Sequence, residues 1–159
     1  MIAARRELLP VQPEGIPEEL KARPQWVNWR LEKRNGEFTK VPYAPRTNRK
    51  ASSTDLLTWD TFDEVLDALR TEHFDGIGFV LSSADPYCGV DLDGCRNPET
   101  GEVDEWARKI ISDLGGYAEV SPSGRGVHVI VRGKTPNRRR GKIEVYSSAR
   151  FFTMTGEVL

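Results

Sequence analysis

Many short β-rich runs, with only two long amphipathic periods between them, constrain the fold of this sequence more than any other feature. The helical periods place apolar residues three and four positions apart over 59–69 and 103–114, with Thr58 or Thr61 available as N-cap of the first and Gly115-Gly116 ending the second. The β-rich runs cover 26–31, 39–43, 77–81, 87–93, 117–121, 126–131, 143–146 and 150–155. The pattern predicts an α+β domain built on a mostly antiparallel sheet with flanking helices.

The first two β-rich runs are separated by Asn35-Gly36, a residue pair that favours a two-residue hairpin turn. Pro42 lies in the second run and cannot donate to a strand ladder, so we expect this residue at a sheet edge or at the end of a strand. Residues 1–15, which include Pro10 and Pro13, are predicted to form an N-terminal arm.

Length and composition indicate a single domain, since 159 residues with 38% hydrophobic and 30% charged side chains are an ordinary globular balance. No stretch approaches about 18 consecutive apolar residues, and the N-terminus lacks the apolar region of a signal peptide. We therefore expect a cytoplasmic protein with no membrane partner. Cys88 and Cys95 are too few for a cysteine-only zinc site or a disulfide framework and are interpreted as reduced packing residues.

The formal net charge of −1 hides a segregation of charge along the chain. Residues 1–50 carry 11 Lys or Arg against 6 Asp or Glu, residues 51–119 carry 4 against 16, and residues 120–159 carry 8 against 2. Basic flanks around an acidic middle suit a site where carboxylates hold metal ions and the flanks contact phosphates, although a solvated surface has the same signature.

Three acidic residues take alternating positions on predicted strands. In the run 87–93, the period of two sends Val90 and Leu92 to one face and the carboxylates of Asp91 and Asp93 to the other, roughly 6–7 Å apart. Glu144 takes the polar face of the run 143–146. Like charges on a half-buried face favour a bound divalent cation, and a strand that ends in a solvated Asp-Gly turn is the alternative.

A glycine-rich segment, residues 121–126, precedes the strand that contains His128. Small residues there would let backbone N–H groups approach phosphate oxygens, with the side chains of Arg125 and His128 as further donors. His128 alternates with valines along its own strand, so its side chain lies on the polar face and theirs on the apolar face. Neither common phosphate-loop pattern fits the segment, and a hairpin turn with an exposed arginine is the alternative.

Basic and aromatic residues follow near the C-terminal end. The triple arginine, Arg138, Arg139 and Arg140, is predicted to form a solvated or phosphate-contacting loop, and Arg150 leads the last β-rich run. Phe151, Phe152 and Met154 are predicted to be core rather than base-stacking residues.

In order and spacing, three segments resemble the three motifs of the archaeo-eukaryotic primase superfamily: Gly89-Val90-Asp91-Leu92-Asp93, Ser123-Gly124-Arg125-Gly126-Val127-His128 and Ile143-Glu144-Val145-Tyr146. The run 144–156 and the upstream segments Trp26-Val27-Asn28-Trp29 and Thr39-Lys40-Val41-Pro42-Tyr43 resemble the bifunctional primase/polymerase branch found in phages, plasmids and integrated elements. The resemblance covers about residues 16–157.

The resemblance implies a DNA primase/polymerase, a template-directed nucleotidyl transferase that acts on single-stranded or primed DNA. It implies an N-terminal αβ module over about 16–75, an RRM-like catalytic module over about 76–159, a dNTP or NTP substrate, and two ions of Mg²⁺ or Mn²⁺. Asp91, Asp93 and Glu144 would hold the ions, and His128 would join the catalytic set. The triphosphate would be bound by Ser123, Gly124, Arg125, Gly126, His128 and Arg150. The resemblance and the basic flanks assign contacts with the template backbone to Lys40, Arg138, Arg139 and Arg140.

Extension of a primer is expected rather than de novo priming, because initiation requires two nucleotides held at once. A helicase or a helical accessory domain, on the same or another chain, is a candidate partner. Two other functions stay open: a nucleotide- and single-strand-binding module of a larger replication protein that performs no synthesis, and a metal-dependent nuclease, which has no triphosphate to bind.

Overall fold

The computed structural model describes residues 7–159, and in this part of the chain nine strands form two antiparallel sheets. The strands are β1 (Trp26–Arg34), β2 (Glu37–Tyr43), β3 (Gly76–Leu81), β4 (Tyr87–Leu92), β5 (Tyr117–Val120), β6 (Val127–Arg132), β7 (Arg138–Arg140), β8 (Ile143–Tyr146) and β9 (Arg150–Met154). The helices are α1 (Glu18–Lys21), α2 (Phe62–Thr71) and α3 (Glu105–Leu114). The first sheet has the order β2-β1-β3-β9 and the second the order β5-β6-β4-β8-β7. The predicted α+β class with antiparallel pairing is confirmed.

The predicted hairpin forms between β1 and β2. Asn35 and Gly36 adopt φ angles of 50° and 82°, the left-handed conformation that a two-residue hairpin turn requires. β2 is an edge strand, which is one of the two placements predicted for Pro42. Because β3 pairs with β1 only from Trp26 to Trp29, the outer half of the hairpin extends beyond the rest of the sheet.

Both long helices form, but α2 begins later than the periodicity predicts. Thr61 is its N-cap, since its side chain accepts a hydrogen bond from the backbone N–H of Glu64 at 3.3 Å. Trp59 precedes the helix, and its indole N–H instead donates to the carbonyl of Ser52 at 2.7 Å. α3 ends at Gly115, whose φ of 63° provides the left-handed C-cap.

The triple arginine is not a loop. Arg138–Arg140 forms the edge strand β7, paired with β8, and all three side chains are exposed. The prediction was wrong because an exposed edge strand carries no alternation of apolar and polar residues. Its pairing comes from the neighbouring strand rather than from its own sequence.

The core joins the two sheets and the long helices. α3 packs on one face of the second sheet, the face that carries Val90 and Val129. The opposite face of that sheet meets the first sheet, where the ring of Phe152 lies against Gly89. Phe152 and Met154 are buried as predicted, whereas Phe151 is only half-buried.

The predicted division near residue 75 remains a prediction, and the sheets cross it, because β3 and β9 pair with one another and extend the sheet of β1. The described part of the predicted arm, 7–15, is held against the domain: the backbone N–H of Gln12 donates to the carbonyl of Thr155 at 2.6 Å. Residues 1–6 of that arm lie outside the described residues. Among the described helices, none is long and apolar enough to cross a membrane.

Candidate active site

A single row of ionisable side chains crosses the second sheet from edge to edge. The strand register places Glu119 opposite His128, His128 opposite Asp91, Asp91 opposite Glu144, and Glu144 opposite Arg139. Directly opposed residues of antiparallel strands share a face, so all five lie on the face turned away from α3. The period of two in each strand therefore collects on one surface residues that are far apart in the sequence.

Asp91, Asp93 and Glu144 come together as the sequence predicts. Each offers a carboxylate oxygen, and these oxygens lie within 4.8 Å of one another. Asp93 follows the end of β4, and its backbone N–H donates to the carbonyl of Lys142 at 2.9 Å, which fixes the turn beside β8. Carboxylate oxygens are the ligands that Mg²⁺ and Mn²⁺ prefer, so the donor set fits a hard divalent cation.

The charged groups of the cluster shift one another's pKa values. Burial and repulsion from Asp91 and Glu144 raise the pKa of Asp93. Burial also acts to raise the pKa of Asp91, but His128 and Lys40 outweigh it and hold that pKa below its usual value. Burial lowers the pKa of Lys40, against the attraction of Asp91 and Asp93. Three carboxylates with oxygens within 4.8 Å of one another are an arrangement that a divalent ion would neutralise.

His128 is buried between the sheets, and both of its ring nitrogens face protein groups. Its Nδ1 lies 2.9 Å from the carbonyl oxygen of Thr153, and its Nε2 lies 3.5 Å from Oδ1 of Asp91. A carbonyl only accepts, so Nδ1 carries the proton and Nε2 is turned towards the carboxylate. Burial acts to lower the pKa of His128, but Asp91 and Glu119 outweigh it and raise the pKa. The ring is thereby held in one orientation.

Glu144 is buried and held by two neighbours. The hydroxyl of Tyr146 donates to its Oε1 at 2.8 Å, and Nε of Arg139 lies 3.9 Å from the same atom. The guanidinium of Arg150 stacks over the ring of Tyr146, 4.7 Å from its centroid. The third carboxylate is therefore oriented by a hydroxyl and lies near one guanidinium, while a second guanidinium stacks on the tyrosine that orients it.

An open cavity of about 1000 Å³ lies over these carboxylates. Its walls come from the β1–β2 hairpin, the loop after β2, the second sheet and the start of β9. The lining residues include Phe38, Lys40, Ser52, Ser53, Asp91, Asp93, Ser123, His128, Arg150 and Phe151. Its volume is at the upper end of the range for small-molecule sites.

Of the predicted triphosphate residues, Ser123, His128 and Arg150 line this cavity, whereas Gly124, Arg125 and Gly126 do not. Arg125 is exposed. Gly124 has a φ of 76°, and a Cβ at Gly126 would lie 2.8 Å from the carbonyl oxygen of Leu92. The two glycines therefore shape the loop.

Of the predicted template residues, Lys40 lines the cavity and the triple arginine is divided between the faces of the sheet. Arg139 belongs to the row of ionisable side chains, whereas Arg138 and Arg140 pair with Val145 and Ile143, whose side chains face α3. The period of two along β7 causes this separation.

Three site features escaped the sequence analysis. Glu119 is fully buried at one end of the row, where it accepts a hydrogen bond from the backbone N–H of Gly156 at 2.7 Å. Arg96 donates to the carbonyl of Gly124 at 2.8 Å and so supports the glycine-rich loop. Ser52 and Ser53 line the cavity. The alternation of the run 117–121 was the available signal for Glu119, while the other contacts join distant segments.

Comparison with known proteins agrees with the three motifs. A curated DNA primase-polymerase of Nitratiruptor phage NrS-1 is 42% identical over 142 residues, which cover 84% of this chain. Over these residues the chain is similar to a phage-type primase-polymerase. The predicted resemblance is thus confirmed. The chain spans 19% of the length of that relative. No protein-family model matches the chain.

Proposed function

We propose that this chain is a primase-polymerase catalytic domain that transfers nucleotides from nucleoside triphosphates to the 3′ end of a primer on a DNA template. The observation that carries the proposal is the set of Asp91, Asp93 and Glu144, with ligand oxygens within 4.8 Å of one another beneath a cavity of about 1000 Å³. The similarity to a phage DNA primase-polymerase supports the same reaction.

Asp91, Asp93 and Glu144 would hold Mg²⁺ or Mn²⁺ in this proposal. Two such ions, when bound, activate the attacking 3′-hydroxyl and neutralise the pyrophosphate that departs in an in-line displacement. The raised pKa of Asp93 and the proximity of the three acids support a site that needs cations for balance. A nuclease could use the same ions, but the cations beside this cavity suit a substrate with a triphosphate.

The remaining residues of the site would bind and orient the triphosphate. Arg150, at the start of β9, presents a guanidinium to the cavity. Lys40, on β2, also lines the cavity and would contact the template backbone. Ser123 offers a hydroxyl from the glycine-rich loop, which Gly124 and Gly126 shape. His128, fixed by Thr153, would keep its Nε2 beside the carboxylate of Asp91. Arg125 would contact phosphate from the rim of the loop.

Primer extension with each nucleotide pool, in Mg²⁺ and in Mn²⁺, tests the proposal. We expect the double variant Asp91→Ala/Asp93→Ala to lose templated extension by more than about 100-fold, since loss of a ligand exceeds the effect of losing an outer partner. Asp113→Ala is the matched control, because Asp113 is exposed on α3 and pairs only with Lys109 in the described structure. Circular dichroism checks that each variant is folded.

Extension by the double variant at the native rate would contradict the proposed metal site. A native chain that extends no primer in any condition, yet binds triphosphate in a manner that requires Arg150, would indicate instead a nucleotide-binding module whose synthesis needs other parts of a longer protein. Extension rather than de novo priming, a helicase or helical accessory partner, and a cytoplasmic location stay predictions from the sequence.

A further inference from the structure

The outer half of the β1–β2 hairpin, residues 30–40, forms one wall of the cavity and is called here the hairpin extension. From Glu32 to Arg34, β1 pairs with β2 alone among the described strands, because its ladder with β3 ends at Trp29. From Lys40 to the turn at Gly36 the extension measures about 14 Å, at about 3.4 Å per residue. It therefore presents a two-stranded surface beside the carboxylates.

The cavity face of the hairpin extension alternates apolar and cationic side chains. The register pairs Leu31 with Lys40 and Lys33 with Phe38, so these four residues share a face. Leu31, Phe38 and Lys40 line the cavity. Phe38 is 51% exposed, so burial in the core does not account for an aromatic ring at this position. Its ring lies about 7 Å along the strand from Lys40.

We propose that the hairpin extension binds a single strand of nucleic acid that enters the site, with Phe38 stacking on a base and Lys33 contacting the backbone phosphate. Single-strand-binding surfaces combine cations that follow the backbone with aromatic rings on which bases stack. This inference rests on the proposed function and adds to it the surface that guides the strand. Lys40, at the inner end of the face, is adjacent to the carboxylates.

The length of the surface favours a strand over a free nucleotide as its occupant. Consecutive bases of a stacked strand are about 3.4 Å apart, so a face of about 14 Å spans several of them. The cations are also spread along the extension, with Lys40 at the inner end and Lys33 opposite Phe38 near the turn. A free triphosphate would need its cations together at one point.

Binding of a labelled 20-nucleotide oligo-dT, measured by fluorescence anisotropy, tests this inference alongside binding of dTTP measured by calorimetry. We expect Phe38→Ala and Phe38→Leu to weaken binding of the oligonucleotide by roughly 5- to 150-fold, the range for loss of one stacked base, with dTTP affinity unchanged. Phe38→Tyr keeps the ring and should retain affinity. Lys33→Ala should lower the slope of log K against log salt by about 0.7. Leu114→Ala is the control, because Leu114 is an exposed apolar residue at the end of α3.

Unchanged oligonucleotide affinity in Phe38→Ala would overturn the inference, as would an equal loss for oligo-dT and dTTP, which would assign the ring to the nucleotide. Native affinity in Phe38→Leu would overturn base stacking as the role of the ring. If the native chain extends primers while Phe38→Ala binds normally, this inference fails and the proposed function stands. If the native chain neither extends primers nor binds oligo-dT, both fail.

Discussion

At the scale of single residues, the hydroxyl of Tyr146 is the contact that orients the third candidate metal ligand. Glu144 is 7% exposed, so its carboxylate has lost most of its water and depends on protein donors. Tyr146 donates to Oε1 at 2.8 Å. Oriented carboxylates bind cations more tightly than free ones, because the ligand need not be ordered when the ion binds.

Tyr146→Phe is therefore expected to raise the metal concentration for half-maximal extension by about 10- to 100-fold, the range for loss of an outer partner of a metal ligand. Titration of Mn²⁺ and Mg²⁺ at saturating nucleotide measures this. Tyr117→Phe is the matched control, because the Tyr117 hydroxyl is buried without a hydrogen-bond partner among the described residues. A fall in maximal rate with no change in metal requirement would contradict the orienting role.

At the scale of elements, the contact between β4 and β9 fixes the carboxylates relative to the cavity. Gly89 lies two residues before Asp91, and Phe152 packs where a side chain at position 89 would stand. A Cβ there would lie 2.7 Å from Cε2 of Phe152 and 2.8 Å from Cδ1 of Leu81. The absence of a side chain thus lets the two sheets approach at the level of the site.

Gly89→Ala is expected to lower the free energy of unfolding by about 1–3 kcal/mol, the usual cost of overpacking a core. Urea unfolding followed by circular dichroism measures it. Because the clash is mainly with the ring of Phe152, the double variant Gly89→Ala/Phe152→Leu should cost less than the sum of the two single variants. Additive costs would show that the ring is not what position 89 contacts.

The elements that the sequence predicts are those with local signals. Asn35-Gly36 specifies the hairpin and Thr61 caps α2, because turn and cap chemistry act between near neighbours. The polar face of β4 follows from its period of two. The pairing of β9 with β3 could not be predicted from the sequence, since long-range pairing depends on which faces fit together. For the same reason, the sequence did not predict that Phe151 lines the cavity or that Arg96 contacts the glycine-rich loop.

At the scale of the whole molecule, folding brings the two basic segments of the chain and the acidic segment between them to one cavity. Lys40 comes from the basic residues 1–50, the carboxylates of Asp91 and Asp93 from the acidic residues 51–119, and Arg150 from the basic residues 120–159. The net charge of −1 therefore says little about the field at the site. Cations at the rim attract phosphates, while the acids at the floor repel them unless divalent ions are bound.

This arrangement predicts that binding of single-stranded DNA falls steeply with salt, and that Arg139, on the cavity face of the second sheet, contributes to this dependence in addition to Lys33 of the hairpin extension. Each phosphate neutralised on a single strand contributes about 0.7 to the slope, so about four contacts would weaken binding roughly 50-fold between 50 and 200 mM salt. Arg139 and Arg138 are a matched pair, because they are adjacent on β7 but lie on opposite faces. Anisotropy titrations without divalent ions should show a slope reduced by about 0.7 in Arg139→Ala and unchanged in Arg138→Ala. Equal slopes in the two variants would place the strand outside this face, and a flat salt dependence of the native chain would remove the basic path altogether.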